Sequence, residues 1–584
     1  MAERAPAVFT GTAVSSLENL IRQVVANSTT PNNGSTVVEA LMQVLVQAAI
    51  ATQQTSSNAN PTTNNNSGSL LSSWGGKPVE IIDPSSPAAA LGRACLPLLL
   101  ERLDSSSNNN RKSMLAILQQ WTQAATYCPS FLAGDKATLE AVVYVCLAVA
   151  NTNNAVADDE EVTTALAALE VLSSLCSVGD VKRKILAVDP VLCQRILAGI
   201  PEQRQEGVIA ITANWMEQGV DDDVEAWASE PATLLEDDAW DGDDVARYAE
   251  SLFQSFLRSM VTPALAGALP MVENLLQQTF QDWRRTRAGL CLMEACIVAA
   301  PVSFAPHVPI AMEAALRLAS PEQPIRVQWQ ALHMLGIMCE TDSVVGKEET
   351  VRQRYGPRIL QVLSRAILSP GPKVSALGSL AIVSYCRGGA NSAKTSTNGD
   401  AHPVVQYLSD MLQALVTGPL SLDVCDRGTA VVKVRAIGAV ACLAEAAEEA
   451  FAPFYSSIMP GLLACAQVPN PNQNHEITQL IGAAIEAATI VGQAIESDET
   501  VRAQYVKDAV QIMQYIVSAL QQTGEATTNM PLDQLLSACA RIASVLEGEF
   551  APFVNVVLPQ LLQRACAPPD VSISVSIFFR LPFW

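Results

Sequence analysis

One tripeptide, Phe-Ala-Pro, recurs at 304–306, 451–453 and 550–552, and it limits what this chain can fold into more than any other feature. Five, six, nine and ten residues after each proline stand apolar side chains. They are Ala311, Met312, Ala315 and Leu316 in the first copy, Ile458, Met459, Leu462 and Leu463 in the second, and Val557, Leu558, Leu561 and Leu562 in the third. That spacing lays one apolar stripe along a helix. A proline close to a helix start is compatible with it, because the missing N–H is one of the unpaired donors there. Apolar, Ala-rich segments at 285–299, 432–447 and 533–547 precede the three copies. The recurring unit is helix, short turn, helix, and its recurrence predicts a solenoid rather than one closed core.

At 584 residues the chain exceeds one ordinary core. It is 49% hydrophobic but only 5% aromatic, so small aliphatic side chains dominate, as closely stacked helices require. Residues 1–86 are the least regular: helical spacing at 14–26 and 36–53, then an Asn/Ser/Thr-rich linker over 54–73. From 87 to 220 the pattern predicts helices at 87–103, 111–127, 135–150, 159–177 and 182–199, separated by polar turns. The alternation returns from 245 to 570, interrupted by a polar insertion at 389–401. Asp282-Trp283-Arg284, Ile325-Arg326-Val327 and Val432-Lys433-Val434 have the form of second-helix starts in HEAT repeats. The fold class expected is all-α: a right-handed superhelical solenoid of HEAT repeats, each an antiparallel helix pair, with eight or nine units. The tail 571–584 is apolar and β-prone, fits no pair, and is expected to mark a truncation of a longer protein.

Between the two arrays lies 221–244, with eleven acids and no base, half of the net charge of −22. Like charges this dense disfavour a compact helix and predict an extended or partly ordered loop. It reads either as a solvated linker or as a docking strip for a basic partner. Trp227 and Trp240 favour the strip, whose candidate residues are Asp221, Asp222, Asp223, Trp227, Glu236, Asp237, Asp238 and Trp240. Second helices of HEAT pairs line a concave face, and Glu340, Glu445, Glu448 and Glu486 lie on them. Their carboxylates are candidate partners for lysine ammonium groups. Trp283 and Trp329 are candidates to cover lysine stems or stack on a cation.

The pattern of reactive residues predicts no enzyme. Four histidines, His307, His333, His402 and His475, have no metal-ligand spacing to one another or to cysteine. No phosphate-binding Gly loop and no Gly-x-Ser-x-Gly occurs, so no catalytic residue, cofactor or metal is expected. The 14 cysteines include no Cys-x-x-Cys and read as reduced core residues. No apolar run free of charge is long enough to predict a membrane span, and the N-terminus has no secretory pattern. The acidic balance argues against nucleic acid and for basic partners. Arg284, Arg285 and Arg287 form a small cluster expected to bond neighbouring repeats.

The segments Glu445 to Tyr455 and Asp282 to Leu290 resemble the importin-β (karyopherin-β) family, as does Gly548-Glu549-Phe550-Ala551-Pro552. The position of the acidic, Trp-bearing stretch resembles the branch of that family that imports ribosomal proteins and histones. The resemblance covers 130–571 and, more weakly, 87–129. It implies a receptor that carries lysine-rich cargo through the nuclear pore, contacts phenylalanine-glycine nucleoporins and releases cargo to Ran-GTP. It would then shuttle between cytoplasm and nucleus, through the nuclear pore. Family members are longer, their Ran-gripping first repeats are not visible here, and Val298 and His333 replace polar inner-helix residues. Cargo binding is thus the better-supported half of the expectation. The rival reading is a HEAT scaffold of another kind, such as a phosphatase regulatory subunit or a coat or chromatin-assembly subunit.

Overall fold

The computed structural model describes residues 40–50, 82–104, 111–151, 159–220, 223–229, 244–277, 282–340, 351–393, 402–424, 427–470, 474–521 and 532–566, with 19 and 23 singly. The expectations for 54–73 and 571–584, and for 14–26 apart from residues 19 and 23, fall outside these residues. Described residues through Arg354 group into one compact unit and those from Tyr355 into a second.

In the first unit the helices are α1 (Pro87–Asp104), α2 (Arg111–Tyr127), α3 (Lys136–Asn151), α4 (Asp159–Ser177), α5 (Pro190–Ala198), α6 (Val208–Gln218), α7 (Val224–Ser229), α8 (Asp244–Ser259), α9 (Val261–Gln277), α10 (Trp283–Ala299), α11 (Val308–Leu318) and α12 (Ile325–Glu340). They form two layers. α2, α4, α8, α10 and α12 stack in chain order as the second layer, while α1, α3, the α5–α6 pair and α9 form the first. α10 shows what a second-layer position demands: every residue from Thr286 to Ile297 is buried. Neighbours cover it on all sides, so its apolar residues are not confined to one stripe, and the charged residues buried with them, Arg287 and Glu294, are paired.

The helix expected at 182–199 is two elements. A short π-helical turn spans Val181–Leu186, and α5 starts afresh at Pro190. Pro190 cannot continue a helix from before it, and the Asp189 carboxylate caps the new one by accepting from the N–H groups of Val191 and Leu192. α5 and α6 then share one first-layer position, joined by a two-residue ribbon pairing Gly199–Ile200 with Gln205–Glu206. Gly199 has φ +98, which a side chain resists. The amide of Asn151 on α3 clamps the ribbon, donating to the Glu206 carbonyl (2.9 Å) and accepting its N–H (2.8 Å).

The second unit continues the alternation with α13 (Val351–Ile367, beginning at the boundary), α14 (Pro372–Ala393), α15 (Leu408–Thr417), α16 (Arg427–Ala447), α17 (Tyr455–Ala466), α18 (His475–Ala494), α19 (Glu499–Gln521), α20 (Leu532–Leu546) and α21 (Ala551–Cys566). Here α14, α16, α18 and α20 stack as the second layer. The Phe-Ala-Pro tripeptides lie between one pair and the next, in or beside short 3-10 turns at 305–307, 448–454 and 547–550. Before two of them the second-layer helix ends on a glutamate in the left-handed region, Glu448 and Glu547, both at φ 47. The apolar stripe is buried in the first two copies except for half-buried Leu463; in the third, Val557 is buried while Leu558, Leu561 and Leu562 are exposed.

Two stretches, His475–Ala494 and Gln534–Pro559, are long and apolar enough to cross a membrane by length and composition, although each carries charged residues and neither is a charge-free run. α18 owes this to its place between α16 and α20, which hides polar-poor surface on both sides. Among the described residues, eleven cysteines are buried and Cys566 is exposed. Burial pushes the thiols of Cys176 and Cys296 up to about 12, which keeps them protonated and inert.

Candidate functional site

The candidate site of the first unit starts from how α10 and α12 begin. Asp282 caps α10 by accepting from the Arg284 N–H (2.9 Å), which fixes Trp283 and the three arginines behind it. Two of those arginines hold the end of α6, as expected of the cluster. Arg287, 3% exposed, donates from Nη1 to the Met216 carbonyl (3.3 Å), and Arg285 lies 4.0 Å from Glu217. Arg284 turns back over the Trp283 ring, 5.1 Å from its centroid.

The acidic break falls inside the third helix pair, between α6 and α8. Its described part is not extended. Residues 224–229 form α7, capped by Asp223, whose carboxylate accepts from the Ala226 N–H (2.8 Å). α7 packs on α12. Trp227 is buried there, edge-on to Trp329 at 6.1 Å, with the Arg326 guanidinium 4.7 Å from its ring centre. The same guanidinium lies 5.6 Å from Trp283. Trp329 stacks on His333, centroids 5.5 Å apart and planes 6° from parallel. Three of the candidate tryptophans are therefore brought together, and Trp329, expected to be open to a lysine stem, already carries His333 and Trp227. The physical reason is local: the acidic stretch supplies its own indole, and a guanidinium between indoles is a favourable arrangement.

Beneath this aromatic group runs a polar ladder across three stacked helices. Glu294 of α10 lies 2.9 Å from His333 Nδ1 and accepts from Gln330 Nε2 (2.9 Å), both of α12. Glu250 of α8 accepts from Gln254 (3.2 Å). Both carboxylates are buried. Burial, with the Glu294 charge added, pushes the Glu250 carboxyl up to about 8. Burial opposes a charge on His333, but the carboxylates of Glu294, Glu250 and Glu340 outweigh it and raise its pKa. Glu340 itself stands exposed at the end of α12. In the second unit Glu445 and Glu448 are exposed at the end of α16, whereas Glu486 of α18 pairs with Arg541 of α20 at 3.3 Å. Asp221, Asp222, Glu236, Asp237, Asp238 and Trp240 lie outside the described residues.

Sequence reasoning missed Arg326, Glu250, Glu294 and Gln330 as members of one site. A signal was present: Glu294 is the one acid in the apolar run from Gly289 to Ala300, a position that burial makes costly unless it is paired. Among the described residues no group of three or more His, Cys, Asp or Glu could hold a metal ion.

No protein-family model matches the chain. Importin subunit beta-3 of Saccharomyces cerevisiae is 24% identical over 322 residues, which are 54% of this chain and 27% of that protein. The crystal structure of Kap121p bound to Pho4p matches with a TM-score of 0.70 at 17% identity, covering 100% of this chain and 47% of that one. Kap121p bound to RanGTP matches with a TM-score of 0.62 at 17% identity, covering 95% and 48%. This chain thus spans less than half the length of each. The fold is the HEAT-repeat solenoid of these karyopherins, and the importin-β resemblance drawn from Asp282–Leu290 and Glu445–Tyr455 is met in both sequence and architecture.

Proposed function

We propose that this chain, similar to importin-β-type karyopherins in sequence and fold, is a nuclear transport receptor that captures lysine-rich cargo on its second-layer helices. It acts by binding, without covalent chemistry, and gives its cargo up to Ran-GTP; phenylalanine-glycine nucleoporins are its partners in the pore. The supporting observation is the set of carboxylates left exposed along and at the ends of second-layer helices, Glu340 on α12, Glu445 on α16 and Glu448 just past its end, in a chain of net charge −22. Such groups attract ammonium side chains, speed their encounter and set charge preference. The acidic strip from Asp221 to Trp240 adds further charge.

The test is a lysine-rich peptide titrated against the chain and against E445K/E448K. Both substitutions are exposed, so folding is expected to be unchanged. Peptide affinity is expected to fall by about tenfold or more, on the order of 1 kcal/mol for each reversed contact. Equal affinity for the two chains would remove α16 from the binding face.

A further inference from the structure

α7 has six residues, and Trp227 is the one that is buried. A helix that short has no stability of its own, and the acids around it repel one another. What holds it to α12 must therefore come largely from where Trp227 goes. The indole meets two unlike surfaces, the Trp329 edge and the Arg326 guanidinium, and Arg326 and Arg284 in turn cover Trp283. The starts of α10 and α12 thus build a socket of two indoles and two guanidiniums in a chain that is otherwise strongly acidic. Its occupant shows what such a socket accepts: an indole for the rings and the guanidinium face, on a segment that carries Asp223 and Glu225 within four residues of it in sequence.

We propose that this socket is a binding site for a tryptophan set among carboxylates on a partner protein, and that α7 closes it in the free chain as an internal competitor. The proposal does not use the transport reading: it concerns acidic partners, not lysine-rich ones. A tethered occupant is present at high effective concentration, so a partner must bind more tightly than α7 or arrive when α7 is undocked. Either way, occupation from outside frees α7.

The probe is the chain's own segment as a labelled peptide, VDDDVEAWASE, covering 220–230. It is titrated by fluorescence anisotropy against the full 584-residue chain and against the same chain carrying W227A. Expected is binding to W227A at least about tenfold tighter than to the wild type, because the socket is vacated. A peptide with alanine for tryptophan should bind neither. Equal binding to the two chains, or none to a folded W227A, overturns the proposal. A second measurement needs no variant. Saturating the wild-type chain with the tryptophan peptide should speed cleavage after Glu225 by a glutamate-specific protease, and the alanine peptide should not. If neither peptide changes the rate, α7 does not compete for the socket and the proposal fails.

Discussion

At the scale of single residues, the ladder of Glu250, Glu294 and His333 gives the first unit a pH dependence whose sign can be worked out. Glu250 holds its proton in the folded chain up to about pH 8, far above an exposed glutamate. Between the unfolded pKa and about 8 the native state therefore binds more protons than the unfolded state, and stability falls as pH rises through that window. His333, raised by Glu294, acts in the same direction: its contribution is present below the unfolded histidine pKa and is lost above the folded one. E250Q keeps the shape and a hydrogen-bonding amide but removes the titration. It is expected to raise the melting temperature at pH 8 and leave it nearly unchanged at pH 5, flattening the profile. A parallel shift of wild type and E250Q at both pH values, read by thermal unfolding, would show that Glu250 is not the group responsible.

At the scale of elements, the pairing of helices depends on where backbones come close. Gly492 of α18 faces the ring of Tyr505 on α19, and a Cβ there would overlap it. Tyr505 has no room to withdraw: it is fully buried, edge-on to Tyr455 at 6.4 Å, and Tyr455 donates to Asp508 of the same helix at 2.5 Å. G492A should therefore destabilise the second unit by about 1–3 kcal/mol, the usual cost of overpacking. Denaturant unfolding would measure it, and an unchanged midpoint would mean that the ring slides aside. Most elements are legible in the sequence. The helices at 111–127 and 159–177 were legible to the residue because their apolar periodicity and polar turns agree. The break at Asp189-Pro190 was less legible, since the apolar pattern runs through it and only the cap chemistry marks it. α7 was not legible at all. Eleven acids argue for an extended strip, and what folds part of it is one tertiary contact from Trp227 to residues about a hundred positions later. For the same reason the site was half visible: Trp227, Trp283 and Trp329 were singled out one by one, but their common guanidinium at Arg326 was not.

At the scale of the whole chain, the net charge of −22 and the carboxylates left exposed by the second layer of each unit favour electrostatic capture. Binding of that kind weakens with salt, because the charges involved are exposed and are screened within about 8–10 Å at physiological ionic strength. The most direct measurement is capture from cell lysate with the 584-residue chain as bait, with and without GTP-locked Ran, at low and at physiological salt. Lysine-rich proteins should be retained, lost progressively as salt rises, and displaced by Ran. Retention of no basic protein at either salt would contradict electrostatic capture and return the chain to the class of HEAT scaffolds.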